Sequence, residues 1–388
     1  MSDVQNEKDK TTLAEVPLIC VKGFCMGSAD VVPGVSGGTM ALILGIYDRL
    51  INAIKSFDYP ALKALFRFDL KGVLGEVHWF FMAALLAGIL SAVLFFTKIV
   101  PLQVLMYSHP ELIYGLFFGL IVGSVFLLLF SFPDFNFRYF LLLLAGCVVG
   151  YKVVTLVPTD TPENAVFVFI SGAIAITAMI LPGISGSFIL LILRKYDYIL
   201  GSFGKLGTSD TMEAFGVLIP FGLGMITGIV LFSRILSWLL KWSYWGTLSV
   251  LIGFMAGSLF VIWPYQVRDY TESVRTEEVA LNAAIVRDLQ QEPMEAAPPD
   301  YYRLGEIVNP EAPESEQRII VEHVRFKLIS SSPFIPDYRN PDNDGRLSDG
   351  RNAFYEGILM MFAGMVAVGL VGWFGGRVVG REGESSSE

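Results

Sequence analysis

Long apolar runs dominate the chain. Six of them, about 76–100, 109–131, 138–157, 214–235, 243–264 and 354–375, are long enough to cross a bilayer as helices. About 20 residues at 1.5 Å per residue cover a hydrocarbon layer of roughly 30 Å. Two other apolar stretches, 17–54 and 165–203, are interrupted at the centre by Pro and Gly. Their halves of roughly 13–17 residues reach only about 20–25 Å, short of the full hydrocarbon thickness. Each stretch is therefore expected to enter and leave on one face as a re-entrant helical hairpin. The pattern predicts an all-α polytopic membrane protein.

The two interrupted stretches are copies of each other. Pro33-Gly34-Val35-Ser36-Gly37-Gly38 matches Pro182-Gly183-Ile184-Ser185-Gly186-Ser187, an offset of 149 positions. At the same offset Gly23 matches Gly172, Ala29 matches Ala178, Leu44 matches Leu193, and Tyr47-Asp48 matches Tyr196-Asp197. An ungapped recurrence of Pro, Gly, Ser, Tyr and Asp points to duplication. Three spanning helices separate the copies, and an odd number turns the second copy over. The expected plan is an inverted repeat, each half a re-entrant hairpin plus three transmembrane helices. The first repeat covers 17–157, and the second covers 165–264 and 354–375. Residues 1–16 and 376–388 are expected as cytoplasmic tails, the first disordered.

Composition agrees: 53% of the residues are hydrophobic and 17% charged, with a mean hydropathy of +0.57. Soluble domains carry about 25% charged residues. Of the net charge of −9, most falls in an insert at 265–353, which is rich in Pro and polar residues. The acidic balance argues against nucleic acid as a partner. Alternating apolar and polar residues over 318–330 suggest one or two strands there, while Pro333-Phe334-Ile335-Pro336 is expected to be irregular. The insert reads either as a small extracytoplasmic cap or as a loosely ordered loop.

With both termini inside, Lys55, Lys63, Arg67, Lys71, Arg138, Arg234, Lys241, Arg377 and Arg381 are cytoplasmic. The turn at 160–163 and the acidic insert fall outside, as the positive-inside rule requires. Arg194, Lys195 and Lys205 are exceptions, so the internal symmetry rather than the charge count decides the topology. Lys8 and Lys10, followed by an apolar run ending Gly27-Ser28-Ala29, imitate a secretory signal. The pattern continues past Ala29 into the repeated motif, so that reading is rejected. Cys20, Cys25 and Cys147 show neither a disulfide framework nor metal-ligand spacing, and His78, His109 and His323 form no cluster with them. No cofactor or metal is expected.

The hairpin tips are the first candidates for chemistry. Non-helical backbone at membrane depth is tolerated where protein or a watery cavity surrounds it. A half-helix beginning there presents free N–H groups to an anion. Ser36, Gly37, Gly38 and Thr39 in one tip, and Ser185, Gly186 and Ser187 in the other, form the expected phosphate-binding set. Taken alone, a Pro-Gly tip is equally a tight turn with Ser as a helix cap. Asp30 is an acid inside the first hairpin, where a carboxylate is costly. It is a candidate proton carrier, or else it holds Lys22 or a backbone amide. Its counterpart is Met179.

Arg194 and Lys195 stand where the first copy has Gly45 and Ile46. Arg194 is placed in the binding set because guanidinium matches phosphate bidentately. Interfacial snorkelling is the alternative for the pair. Secondary candidates are Lys22, Tyr47, Asp48, Arg49, Lys195, Tyr196 and Asp197, although interfacial tyrosines commonly serve as belt anchors. Gly119/Gly123 and Gly224/Gly228 have the spacing of close helix packing. No convincing nucleophile–base pair, P-loop or ATPase signature is present, so the chain reads as a transporter rather than an enzyme, and its transport is expected to be secondary or passive.

The run from Gly23 to Thr39, followed by Ile46-Tyr47-Asp48, resembles the signature of a bacterial family of polyprenyl-phosphate transporters, formerly a domain of unknown function. Leu181-Pro182-Gly183-Ile184-Ser185-Gly186-Ser187 is similar to it as well. The resemblance covers about 17–264 and the last helix. It implies that undecaprenyl phosphate is flipped across the cytoplasmic membrane for reuse in cell-wall synthesis, with proton or ion coupling as an option. Partners are then the lipid substrate and the bilayer. No feature sets an oligomeric state, and a homodimer is compatible with the sequence. Undecaprenyl-diphosphate phosphatases share the plan, but their tips continue with Arg-Ser and carry a Glu-rich motif absent here. A small-anion secondary transporter is the remaining alternative.

Overall fold

The computed structural model describes residues 11–32, 35–56, 78–100, 102–156, 161–207, 211–291, 300–310, 313, 317–339 and 345–384. Residues 1–10, Pro33-Gly34, the loop bearing Lys63, Arg67 and Lys71, and Asp160 lie outside the described residues. The chain divides into two units: Met1–Val100, Leu116–Ile262 and Met361–Glu388 form one, and Pro101–Gly115 with Trp263–Met360 forms the other.

In the first unit, helices α1 (Val16–Val31), α2 (Gly37–Ile43) and α3 (Tyr47–Lys55) make up the first interrupted stretch. Helix α4 (Trp79–Lys98) follows; α5 (Leu102–Ser108) belongs to the second unit. Then come α6 (Pro110–Phe130), whose residues up to Gly115 belong to the second unit, and α7 (Phe137–Val154). The second interrupted stretch is α8 (Ala165–Ile180), α9 (Gly186–Ile192) and α10 (Tyr196–Gly204), followed by α11 (Thr211–Trp242), α12 (Tyr244–Ile262) and the C-terminal α14 (Gly350–Glu384), which belongs to this unit from Met361 onward. Six helices are long and apolar enough to span a membrane: α4, α6, α7, α11, α12 and α14. They coincide with the six runs expected from the pattern. Every bound of α1, α2 and α3, moved by 149 positions, gives the bounds of α8, α9 and α10.

The helices pair through glycines. A Cβ on Gly27 would lie 2.7 Å from the Ile89 carbonyl oxygen, and one on Gly23 would run into the Leu85 carbonyl. The contacts climb together, so α1 and α4 run parallel. In the second copy, a Cβ on Gly172 would lie 2.5 Å from Phe221 O, and one on Gly228 the same distance from Ala173 O, so α8 and α11 are parallel too. Parallel contact recurs between α7 and α12, where Gly146 meets the Val250 backbone and Gly150 the Phe254 backbone. It recurs again between α6 and α14, where Gly119 meets Met361 and Gly123 meets Met365. Only a residue without a side chain permits such backbone approach, which provides much of helix association in lipid. The glycine spacings expected to pack helices do so.

The last residues of the expected disordered tail are engaged. Arg49 donates to Glu15 at 3.0 Å and to Thr11 at 2.7 Å.

The second unit corrects the reading of the insert as one or two strands. It is an ordered antiparallel sheet of three strands, β1 (Gln266–Ala280), β2 (Asp300–Ile307) and β3 (Arg318–Pro333), in the order β1-β3-β2. Val274 faces Val324 and Tyr302 faces His323 in its register. Helix α13 (Ala284–Gln291) packs Val286 and Leu289 on Ile319 and Val321. β3 is the strand the alternation predicted. β1 was hidden because charged residues interrupt its apolar positions. Elsewhere in this unit, the buried Glu111 carboxylate accepts from Ser348 N at 3.1 Å and Ser348 Oγ at 2.6 Å.

Candidate functional site

Helix α1 stops because Pro33 disfavours the helical region for its predecessor, and Val32 is extended at φ −91°, ψ 116°. Ser36, extended at φ −119°, ψ 131°, opens α2 by accepting from Gly38 N at 3.2 Å. In the second copy Leu181 is extended after α8, and Gly183 turns the chain at φ +85°. A Cβ on Gly183 would also stand 2.7 Å from the Phe254 carbonyl oxygen, so both conformation and space demand glycine.

The two interrupted stretches meet at their breaks. Ser36 Oγ donates to Leu181 O at 3.3 Å, with Met179 O at 3.5 Å. Gly183 N donates to Thr39 Oγ1 at 2.8 Å, and Tyr47 OH donates to Ile180 O at 3.1 Å. A Cβ on Gly38 would lie 2.6 Å from that same Ile180 oxygen. Hydroxyls of the first copy therefore hold the carbonyls that end α8, groups no intrahelical donor can satisfy.

The expected binding set divides. Ser36, Gly37, Gly38 and Thr39 are buried in this crossing, whereas Ser187 is exposed and Ser185 half-buried. Ser185 and Ser187 share a hydrogen bond of 2.8 Å between their hydroxyls. Gly186 is buried against the Ala175 backbone. Asp30 accepts from Gly37 N at 2.8 Å, so its carboxylate sits where α2 presents its first amides. Of the partners considered for Asp30, the backbone amide is the one present; Lys22 instead donates to Leu44 O at 3.0 Å.

Both short helices end in one motif. Ile46 N bonds back to Ala41 O at 2.9 Å and Lys195 N to Leu190 O at 2.8 Å, each around a left-handed residue. In the first copy that residue is Gly45 at φ +67°; in the second it is Arg194 at φ +50°. An arginine there costs roughly 1–2 kcal/mol that glycine avoids.

Lys195 does not snorkel. It is 1% exposed, donates to Thr161 O at 2.8 Å and lies 5.5 Å from the Tyr198 ring centre. Tyr47 is not a belt anchor either, being 3% exposed inside the crossing, while Tyr196 is 37% exposed. Arg49 lies 4.8 Å over the Phe81 ring, and Asp48 hydrogen-bonds Tyr244. The Asp197 side chain lies outside the described residues. Sequence reasoning missed the carbonyls of Met179, Ile180 and Leu181 as half of the site. A backbone acceptor leaves no side-chain signature; the helix break before Pro182 was its one signal.

Residues 26–279 match a family described as VCA0040-like, undecaprenyl phosphate translocase-like. A polyprenyl-phosphate transporter of Vibrio cholerae serotype O1 is 41% identical over 246 residues, covering 63% of this chain and 77% of that protein. A polyprenyl-phosphate transporter of Staphylococcus aureus is 30% identical over 260 residues, covering 63% of this chain and 85% of the relative. No solved structure matches. The matched span takes in the breaks of both interrupted stretches and the crossing between them, and the chain belongs to the VCA0040-like, undecaprenyl phosphate translocase-like family, a family of transporters and not of enzymes.

Proposed function

We propose that the chain moves undecaprenyl phosphate across the bacterial cytoplasmic membrane for reuse in cell-wall synthesis. The observation that carries the reading is the crossing of two repeated helix breaks, with the Ser185–Ser187 hydroxyl pair left accessible beside it. The prenyl tail never needs to leave the hydrocarbon. The phosphate does need a path, because an ionised group in low dielectric without partners is costly.

Helix polarity supports the topology. Since α1 and α4 run parallel and touch, the chain must return to its starting face between them, as a re-entrant hairpin does. The same holds for α8 and α11. Three spanning helices, α4, α6 and α7, lie between the hairpins and invert the second. With the N-terminus cytoplasmic, the first hairpin opens inward, the second outward, the insert is extracytoplasmic and the C-terminus is cytoplasmic.

The head is received on the second tip. There the Ser185 and Ser187 hydroxyls donate, and Arg194 meets a phosphate arriving from the outer leaflet. The first tip is less suited, because Asp30 already fills its amide end with a carboxylate. Strain at Arg194 fits a residue kept for its side chain.

The test is Arg194→Gly together with Ser185→Ala/Ser187→Ala in proteoliposomes, following prenyl phosphate between leaflets. Arg194→Gly should raise stability by about 1 kcal/mol while lowering the transport rate at least about tenfold, the loss of one charge-assisted phosphate contact. The double alanine should fold normally and transport poorly. Transport at the wild-type rate in both variants would remove the second tip as the head-group site.

A further inference from the structure

The hydroxyls that donate across the crossing both belong to the first copy. At the offset of 149 positions, Tyr47 OH to Ile180 O has a mirror image, Tyr196 OH to Val31 O. Ser36 Oγ to Leu181 O likewise mirrors Ser185 Oγ to Val32 O. Neither mirror bond is present among the described residues. Ser185 bonds Ser187 instead, and Tyr196 is 37% exposed where Tyr47 is 3%. The same contrast continues along the following helix: Ile51 is 1% exposed, and its counterpart Leu200 is 39%. Two copies with matching elements thus adopt unequal states, one closed and one open.

We infer that Tyr47 and Tyr196 are alternating latches, and that the protein has a second conformation in which Tyr196 holds the Val31 carbonyl and Ser185 the Val32 carbonyl. This rests on the inverted-repeat transport reading. When two copies share backbone geometry and donors, the mirror of an asymmetric arrangement differs from it in energy only by the residues that differ. The conformation described here is closed around the first hairpin and open around the second. Its mirror is closed around the second and open around the first, which presents the path to the opposite leaflet. Tyr47 and Tyr196 act as positioning residues, since they set which face opens without touching the head.

The exchange is biased. Thr39 accepts from Gly183 N in the present state, but its counterpart Phe188 has no hydroxyl. The mirror state therefore lacks one bond, which favours the present state about fivefold.

The test uses a chain with Cys20, Cys25 and Cys147 replaced, in nanodiscs, bearing a single reporter thiol at Ser187→Cys or Ile51→Cys. Labelling by a water-soluble maleimide reads the two states, since Ser187 is exposed now and Ile51 buried. Tyr47→Phe keeps the ring and deletes one bond from the present state, shifting the equilibrium about fivefold. It should slow labelling at 187 and speed it several-fold at 51. Tyr196→Phe should do the reverse at 51, lowering its already slow rate. Both rates rising together, or both phenylalanine variants moving them in one direction, would mean loosened packing and overturn the latches. So would no response to either. Latch responses as predicted, with no movement of prenyl phosphate by the chain with Ser187 and Ile51 intact in proteoliposomes, would sink the transport reading alone.

Discussion

Gly38→Ala is expected to destabilise the protein by about 1–3 kcal/mol, the cost of overpacking a filled site, and to bring transport close to background. The new Cβ would stand 2.6 Å from Ile180 O and 3.1 Å from Met179 O. Both are backbone atoms, so neither can swing aside, and relief requires the two interrupted stretches to separate. Separation breaks the Ser36, Thr39 and Tyr47 bonds together, because all three cross the same seam. A control distinguishes this from a general intolerance of alanine. Gly201 lies inside α10 with nothing within 4 Å of its added Cβ. Gly201→Ala should gain about 0.5–1 kcal/mol through lower backbone entropy in the unfolded chain, with transport unchanged. Thermal unfolding in detergent and a leaflet-exchange assay check both. Equal behaviour of the two variants would mean that the crossing does not govern the fold.

Asp30 gives the second large effect, in two parts that its two substitutions separate. Asp30→Ala removes the acceptor of Gly37 N and leaves that amide unpaired at a buried helix start. Losing such a cap costs about 0.5–2 kcal/mol. Asp30→Asn keeps an oxygen in the same place and removes the charge, so stability should stay within a few tenths of a kcal/mol, the range of a polar swap that preserves its bond. Any loss of transport in the asparagine variant then belongs to the charge. If Asp30 carries the coupling proton, the alanine and asparagine variants both lose the pH dependence of transport, and only alanine loses stability. A wild-type pH profile in the asparagine variant would leave Asp30 as a cap alone.

Much of the fold was legible because lipid imposes simple rules. Backbone groups in hydrocarbon must bond internally, so length and hydropathy located the six spanning helices. The recurrence of Pro, Gly, Ser, Tyr and Asp located the two broken ones. The site was half legible. Ser36, Thr39, Ser185 and Ser187 stand out in the sequence because hydroxyls beside a helix break have an obvious use. That the first pair serves the opposite break while the second remains accessible was not readable, since from the proline to the glycine after the serine the two motifs differ only by Val35 against Ile184, and diverge in polarity at Gly38-Thr39 against Ser187-Phe188. The place of Tyr47 inside the crossing is not legible either, for a related reason. A tyrosine near a helix end suits the membrane interface, and nothing local shows that its hydroxyl reaches a carbonyl 133 positions away. β1 escaped notice because Arg268, Glu272, Arg275 and Glu277 obscure the period of two on which strand recognition depends.

In the proposed transport, the phosphate passes the seam where the two breaks meet. The most direct measurement is photolabelling of the intact protein in proteoliposomes by a prenyl phosphate carrying a diazirine next to its head, with mass spectrometry to find the labelled residues. Label concentrated within 179–187, with the remainder within 30–39, is the predicted result. Label spread over the outer faces of the spanning helices, with neither break modified, would contradict it.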